Sequence, residues 1–233
     1  GILLTRAGLT FWEQISPILW KLEGLGDEMK KMQKGGDTIR LNAMSVVSLL
    51  SGIIKKFREE EPDAAFVVTD QKESTDWHLC ILSAGPGISY QGGQELLSEE
   101  VFLGASSRTW LGERDEISLR DVENENFILL PRGTVLRNLA DTRFREHHFI
   151  PRLSMECNST HLVRSLVSDQ VGITLWPEYS WGKRPDVHMV RIAEPGFYRS
   201  VFLLRQKSGE IPPAAERFAQ FVEDYMRTLE HEK

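Results

Sequence analysis

The chain reads as an α/β protein in which two lobes repeat one alternation of strands and helices. Three observations carry that reading: strand-length apolar runs alternate with segments of helical periodicity, hydroxyl-rich corners recur where runs give way to helices, and a polar, turn-rich passage from Ser106 to Arg120 divides the series in two. The first unit spans Thr38 to Val68. An apolar run (Thr38 to Leu41) leads through the corner Asn42-Ala43-Met44-Ser45 into a helix, and a second run (Ala64 to Val68) follows. Val46, Val47, Leu49, Leu50, Ile53, Ile54 and Phe57 recur at the spacing of one buried helix face, with Ser45 the expected N-cap. Lys55, Lys56 and Arg58 suit the carboxyl end of the helix dipole, and Glu59-Glu60-Glu61-Pro62 stops the helix. In such a βαβ unit the first corner points free backbone N–H groups outward, where small anions bind.

His78 to Ser83 is the next strand, closed by Ala84-Gly85-Pro86-Gly87. Too few residues separate it from the preceding strand to hold a crossover helix, which needs about a dozen, so a hairpin or a helix-free loop is expected. Glu100 to Ala105 is a further strand before the passage into the second lobe.

There the pattern resumes with strand Phe127 to Leu130, corner Pro131-Arg132-Gly133-Thr134, and a helix marked by Val135, Leu136, Leu139 and Phe144 with Thr134 as cap. Strand Arg152 to Cys157 precedes the corner Asn158-Ser159-Thr160 and a helix marked by Leu162, Val163, Leu166 and Val167. Gly172 to Trp176 is a strand ending at Pro177. Val187 to Ile192 and Ser200 to Leu204 are strands joined through the turn Glu194-Pro195-Gly196, and the last helix, Pro212 to about Leu229, buries Phe218, Phe221, Val222, Tyr225 and Met226. The alternation predicts largely parallel sheets.

Ahead of these units, Leu4, Phe11, Ile15, Ile18, Leu22, Leu25, Met29 and Met32 mark an amphipathic helix, and from Phe11 their steps alternate four and three. A heptad seam of this kind suits a helix pairing with its own copy. The same pattern is met by an amphipathic helix packed on the following domain. Pro17, Gly24 and Gly26 weaken the seam, and Gly35-Gly36 ends it.

With 233 residues, 41% hydrophobic and 27% charged, the chain can bury a full core. A net charge of -6 and a pI near 5.6 argue against this segment gripping nucleic acid, because phosphate binding needs a basic face. No run is long and apolar enough for a membrane span, and no signal-like segment opens the chain. Cys80 and Cys157 are far apart in predicted strands, which fits buried thiols in a reducing cytoplasm better than a disulfide or metal pair. The chain starts at Gly1 without Met, so a fragment lacking its natural amino-terminal part is expected.

Three corners, at Ser45, Thr134 and Ser159-Thr160, place a hydroxyl and free N–H groups at the carboxyl ends of strands, where ligands bind in open α/β sheets. Each hydroxyl also suffices as a simple helix cap. If the corners converge between two lobes, the crevice favours a small carboxylate or another compact anion. Arg132 is placed to pair with such an anion, and Met44 and Trp176 to wall the crevice, although a tryptophan ending a buried strand equally suits the core. Catalytic constellations are weak. Ser159 and His161 do not face each other on a helix, no glycine-flanked serine elbow occurs, and His147-His148 lacks metal-ligand spacing. Nor is there a phosphate-binding loop or a dinucleotide fingerprint, so the expectation is a receptor site without cofactor or metal, and not an enzyme.

Leu4-Thr5-Arg6-Ala7-Gly8, Ile39-Arg40-Leu41-Asn42 through Phe57-Arg58 to Pro62-Asp63, and Leu162-Val163 through Val171-Gly172-Ile173-Thr174-Leu175-Trp176-Pro177-Glu178 resemble, in order and spacing, segments of LysR-type transcriptional regulators. The first resembles the passage from the DNA-binding domain into that family's linker helix. The others resemble the first βαβ unit and a later signature of its regulatory domain. Departures are Lys72-Glu73-Ser74-Thr75 with His78-Leu79-Cys80-Ile81 in place of a helix and its following strand, Asp169-Gln170 where Ala-Gly is common, and Asn42 for a usual glycine.

The resemblance implies a two-lobed, periplasmic-binding-protein-like type II fold preceded by an amino-terminal linker helix at 1–34. One lobe would comprise 35–106 with 200–233, and the other 107–199. Carried over by position, the effector contacts would be Met44, Ser45 and Val46; Arg132, Gly133 and Thr134; Asn158, Ser159 and Thr160; and Thr174 and Trp176. Also implied are a small-molecule effector, self-association as dimer or tetramer, a cytoplasmic setting without membrane contact, and DNA binding only through a winged helix-turn-helix outside this chain. A solute-binding protein of a transport system is the alternative. Against it stand the heptad helix, the free cysteines and the absence of a signal stretch.

Overall fold

The computed structural model describes residues 38–72, 74–207 and 210–231, with residues 5–8, 11–12, 15–16 and 19 of the amino-terminal segment. Arg6 to Gly8, Phe11, Trp12, Ile15, Ser16 and Leu19 are helical, and the Ser16 hydroxyl donates to the Trp12 carbonyl one turn back. The other seam positions, Leu4, Ile18, Leu22, Leu25, Met29 and Met32, lie outside the described residues, as do Pro17, Gly24, Gly26 and Gly35-Gly36.

Strand β1 (Thr38–Ala43) sends Ile39, Leu41 and Ala43 to one face and into a core, with Asn42 buried on the other face. It leads into helix α1 (Val47–Glu60), whose Leu50, Ile53 and Phe57 fill the same core. Val47, expected on the buried face, is 59% exposed because the helix begins there and turns its first residue outward. Strand β2 (Ala65–Thr69) pairs with β1 in parallel and forms an outer edge of the sheet. Strand β3 (Leu79–Ala84) lies on the other side of β1, also parallel to it.

The connection 70–78 therefore passes across β1, and its described residues carry no helix. Asn42 fastens this connection. Its side chain is buried, its Nδ2 donates to the Gln71 carbonyl at 2.9 Å, and its Oδ1 accepts from Thr69 Oγ1 at 3.3 Å. A glycine at that position makes neither bond, which gives the departure from the family pattern a physical role.

Strand β4 (Gly93–Ser106) is long enough to serve both halves of the molecule. Its first part pairs antiparallel with β10 (Tyr198–Arg205), which in turn pairs antiparallel with β3. Its second part pairs antiparallel with β8 (Thr174–Pro177) and β9 (Val187–Ile192), and the short β5 (Glu116–Ile117) pairs in parallel with β9. A separate parallel pair, β6 (Asn126–Leu129) and β7 (Arg152–Glu156), is bridged to the start of β8 through Phe127 and Ile173. The architecture is thus mixed. The largely parallel sheets expected from alternation do not form, because β4 and β10 run antiparallel to their neighbours while passing between the two halves.

Two cores result. One gathers apolar residues from 39 to 97 and from 201 to 226, including Phe218, Val222 and Met226 of the last helix, α5 (Pro213–His231). Phe57 sits edge-on to Phe66, Phe218 and Phe221 at 6.1, 5.0 and 5.4 Å between ring centres. The other core gathers residues from 101 to 197 around Phe127, Phe144, Phe149 and Trp176, with helices α2 (Val135–Glu146) and α3 (Thr160–Ser168) packed on it. Gly172 lets β8 begin beside β6, since a Cβ there would lie 2.4 Å from the Asn126 carbonyl oxygen.

Candidate functional site

The second lobe gathers three corners along one sheet edge. Strands β6 and β7 are parallel neighbours and β8 begins parallel to β6, so all three carboxyl ends face the same way. At the end of β6, Arg132 and Gly133 are exposed and Thr134 caps α2, its Oγ1 accepting from the Arg137 N–H at 3.3 Å. The end of β7 is tied to that of β6 by a bond from Cys157 N–H to the Leu129 carbonyl. There Asn158, Ser159 and Thr160 are exposed, and Ser159 caps α3 by accepting from Leu162 N–H at 3.2 Å. Both caps were legible in the sequence. Thr174 and Trp176 of β8 are buried, at 1% and 0% exposure, and the Trp176 indole N–H donates to the Gly182 carbonyl.

Arg137 braces these corners. Its buried guanidinium reaches Asp141 at 2.9 Å, Glu156 at the end of β7 at 2.8 Å, and the Leu130 carbonyl at 3.0 Å. The hydrogen bond with Asp141 is the main reason its pKa is raised. Arg164 of α3 lies 5.8 Å over the Trp176 ring. Burial, followed by repulsion from Arg184, lowers the Arg164 pKa, and its Nε is buried without a hydrogen-bond partner among the described residues.

The first-lobe corner differs from its expected form. Ser45 does not cap α1: the residue before the helix is Val46, with φ 51° and ψ 27° and no side-chain cap. A β-branched residue in the left-handed region is a strained conformation that tertiary contacts must hold. Here those contacts come from helix α4 (Glu178–Trp181), which follows β8. Val46 N–H donates to Ser180 Oγ at 3.3 Å, and the hydroxyls of Ser45 and Ser180 are 3.2 Å apart. Met44 is 39% exposed, while Ser45 and Val46 are buried. The donors expected to face solvent or ligand are thus directed into the protein.

Ser180 is held by a buried charge. Its hydroxyl donates to Glu99 Oε1 at 2.6 Å and its N–H to Glu99 Oε2 at 2.8 Å, while Tyr179 N–H reaches Oε2 at 3.0 Å and Arg199 Nε reaches Oε1 at 2.7 Å. A serine has one hydroxyl proton, and Glu99 takes it, so Ser180 Oγ can only accept from the first lobe. The Ser45 hydroxyl is therefore the donor in that pair. Glu99 and Arg199 lie on β4 and β10, the strands shared by both halves, and sequence reading overlooked them together with Ser180. The available signal was a carboxylate and an arginine each standing one position before a run read as a strand.

Elsewhere, a cavity of about 420 Å³ opens between β4 and the β9–β10 turn, lined by Glu100, Glu116, Arg191 and Glu194 among others. None of the corner residues lines it. Among the described residues no group of three or more His, Cys, Asp or Glu is placed to hold a metal ion, and no helix is long and apolar enough to cross a membrane. Both cysteines are free.

Comparison with known proteins places this geometry. The family model described as LysR substrate binding domain matches residues 33–227. The chain belongs to the LysR substrate-binding domain family. Among curated relatives, the Transcriptional dual regulator GltC of Bacillus subtilis (strain 168) is 27% identical over 215 residues, covering 88% of this chain and 72% of GltC. The effector binding domain of QuiR in complex with shikimate superposes with a TM-score of 0.67 at 21% identity, covering 83% of this chain and 99% of that one. Full-length CbnR complexed with its target DNA superposes at 0.68 with 18% identity, covering 96% and 82% of the two chains. As a LysR substrate-binding domain with the two-lobed, periplasmic-binding-protein-like fold, the chain is the regulatory part of a transcriptional regulator.

Proposed function

We propose that this LysR substrate-binding domain senses a small anion between its lobes, at the edge formed by the ends of β6, β7 and β8. The carrying observation is the shared edge. Two capped helix starts emerge from it side by side, and α4, which follows the third strand, meets the Ser45–Val46 corner of the first lobe. Arg132, Gly133, Asn158, Ser159 and Thr160 are exposed there and Thr134 is partly buried, and their polar and helix-start N–H groups suit a carboxylate or inorganic anion. Met44 adds an exposed apolar side chain, and Thr174 and Trp176 support the edge from beneath. QuiR holding shikimate in a similar fold supports the class of ligand.

The lobes in this reading are 35–106 with 200–233, and 107–199, with 1–34 as linker helix. The change of core between Phe197 and Val201 supports the limit at 199/200, whereas β4 passes from the first core to the second already between Leu97 and Val101, ahead of residue 106. An effector shifts the lobe arrangement by its differential affinity for the two arrangements, without catalysis. The domain works in the cytoplasm as a dimer or tetramer, and DNA is contacted through a separate domain. Apolar exposure along the edge strands β2 and β7, with Val67 at 42%, Val68 at 46% and Leu153 at 45%, supports self-association.

A thermal-shift screen of small carboxylates, amino acids and inorganic anions, followed by calorimetry on the best binder, tests the site. Thr134→Ala and Ser159→Ala are expected to weaken its binding about tenfold each while costing about 1 kcal/mol of stability. Unchanged affinity in both variants refutes the placement.

A further inference from the structure

The contact between the Ser45–Val46 corner and Ser180 joins residues 135 positions apart and is the hydrogen-bonded seam between α1 and α4. Its chemistry resembles a bound anion. Val46 N–H and the Ser45 hydroxyl donate to one oxygen, and that hydroxyl in turn donates a hydrogen bond to a carboxylate with no solvent exposure. Arg199, itself buried, neutralises the carboxylate from the strand that carries the chain back to the first lobe. The strained backbone of Val46 is the element this bond holds in place.

We propose that Ser180, fixed by Glu99 and Arg199, is a positioning residue that latches the lobes by occupying the donors of the first-lobe corner. On the reading that the edge described above is an effector crevice, an anion seated at that corner must displace Ser180 and so release the latch. Effector binding and lobe movement are then one event, because the same two donors cannot serve both acceptors. Ser180 thereby decides which lobe arrangement the empty domain holds.

The test needs no effector, so its failure is distinct from failure of the crevice reading. Backbone hydrogen exchange is followed residue by residue in the unmodified chain and in Ser180→Ala, Ser180→Thr and Ser45→Ala. Ser180→Ala is expected to speed exchange at Val46 N–H about tenfold while Leu41 and Ile81, inside the first-lobe core, keep their protection. Ser180→Thr, which keeps the hydroxyl, restores slow exchange at Val46. Ser45→Ala, should the threonine variant not fold, leaves Val46 N–H bonded and its exchange slow. Small-angle scattering reports a larger radius of gyration for Ser180→Ala than for the unmodified chain. Unchanged exchange at Val46 in Ser180→Ala, an equal acceleration across both cores, or an unchanged radius overturns the proposal.

Discussion

Replacing Arg199 with methionine isolates the charge that underlies the seam between the lobes. Arg199 and Glu99 are 2.7 Å apart with side-chain exposures of 8% and 0%, so solvent screens the pair little. At an effective dielectric near 20 the attraction of close unit charges is about 4 kcal/mol, and removing one partner of a buried pair costs about 3–5 kcal/mol. Glu99 retains three donors, from Tyr179 N–H, Ser180 N–H and Ser180 Oγ, which places Arg199→Met at the lower end, about 3 kcal/mol. For a chain of this size the thermal midpoint then falls by about 6–12 °C.

Methionine nearly preserves the volume, so the loss reports charge and not a cavity. Urea unfolding at neutral pH measures it. The double variant Glu99→Gln/Arg199→Met leaves neither charge buried and is expected to regain more than half of the loss, a coupling read directly from the four-variant cycle. A cost below about 1 kcal/mol for Arg199→Met, or a double variant as unstable as the sum of the single ones, refutes the reasoning.

Two further outcomes follow from the cores. Gly104→Ala places a Cβ 2.6 Å from the Trp176 ring, so about 1–3 kcal/mol of stability is lost and tryptophan fluorescence changes, whereas an unshifted urea midpoint shows that the ring moves aside freely. Burial pushes the Cys80 thiol up to about 11 from 9.0, so above pH 9 the unfolded chain loses this proton while the folded chain keeps it. Stability must therefore fall as pH rises from about 9 to 11, by up to about 2–3 kcal/mol, and Cys80→Ala removes that part of the slope in alkaline unfolding titrations.

Elements that depend on near neighbours were legible. Thr134 and Ser159 cap the helices the sequence assigned to them, and Val187–Ile192 forms the strand expected there. The periodicity of α1 was legible through Leu50, Ile53 and Phe57, but its start was not. Ser45 has the chemistry of a cap and sits where one belongs, yet its hydroxyl is turned to Ser180 as a hydrogen-bond donor, and the helix begins from Val46 in a left-handed turn. Cys80 lies buried within β3 as expected, whereas Cys157 stands just beyond β7, half-buried.

Alternating polarity, helical spacing and capping residues act over a few positions, so this sequence by itself determined most of the order of strands and helices, the corners between them and the family to which they belong, but not β5, α4 or the early start of β4. Which strands run antiparallel, and which oxygen meets the Ser45–Val46 corner, depended on groups brought together from 70 to 135 positions apart. Tertiary structure alone decided those, because a buried carboxylate must find its donors wherever the fold places them, and no local pattern records the search.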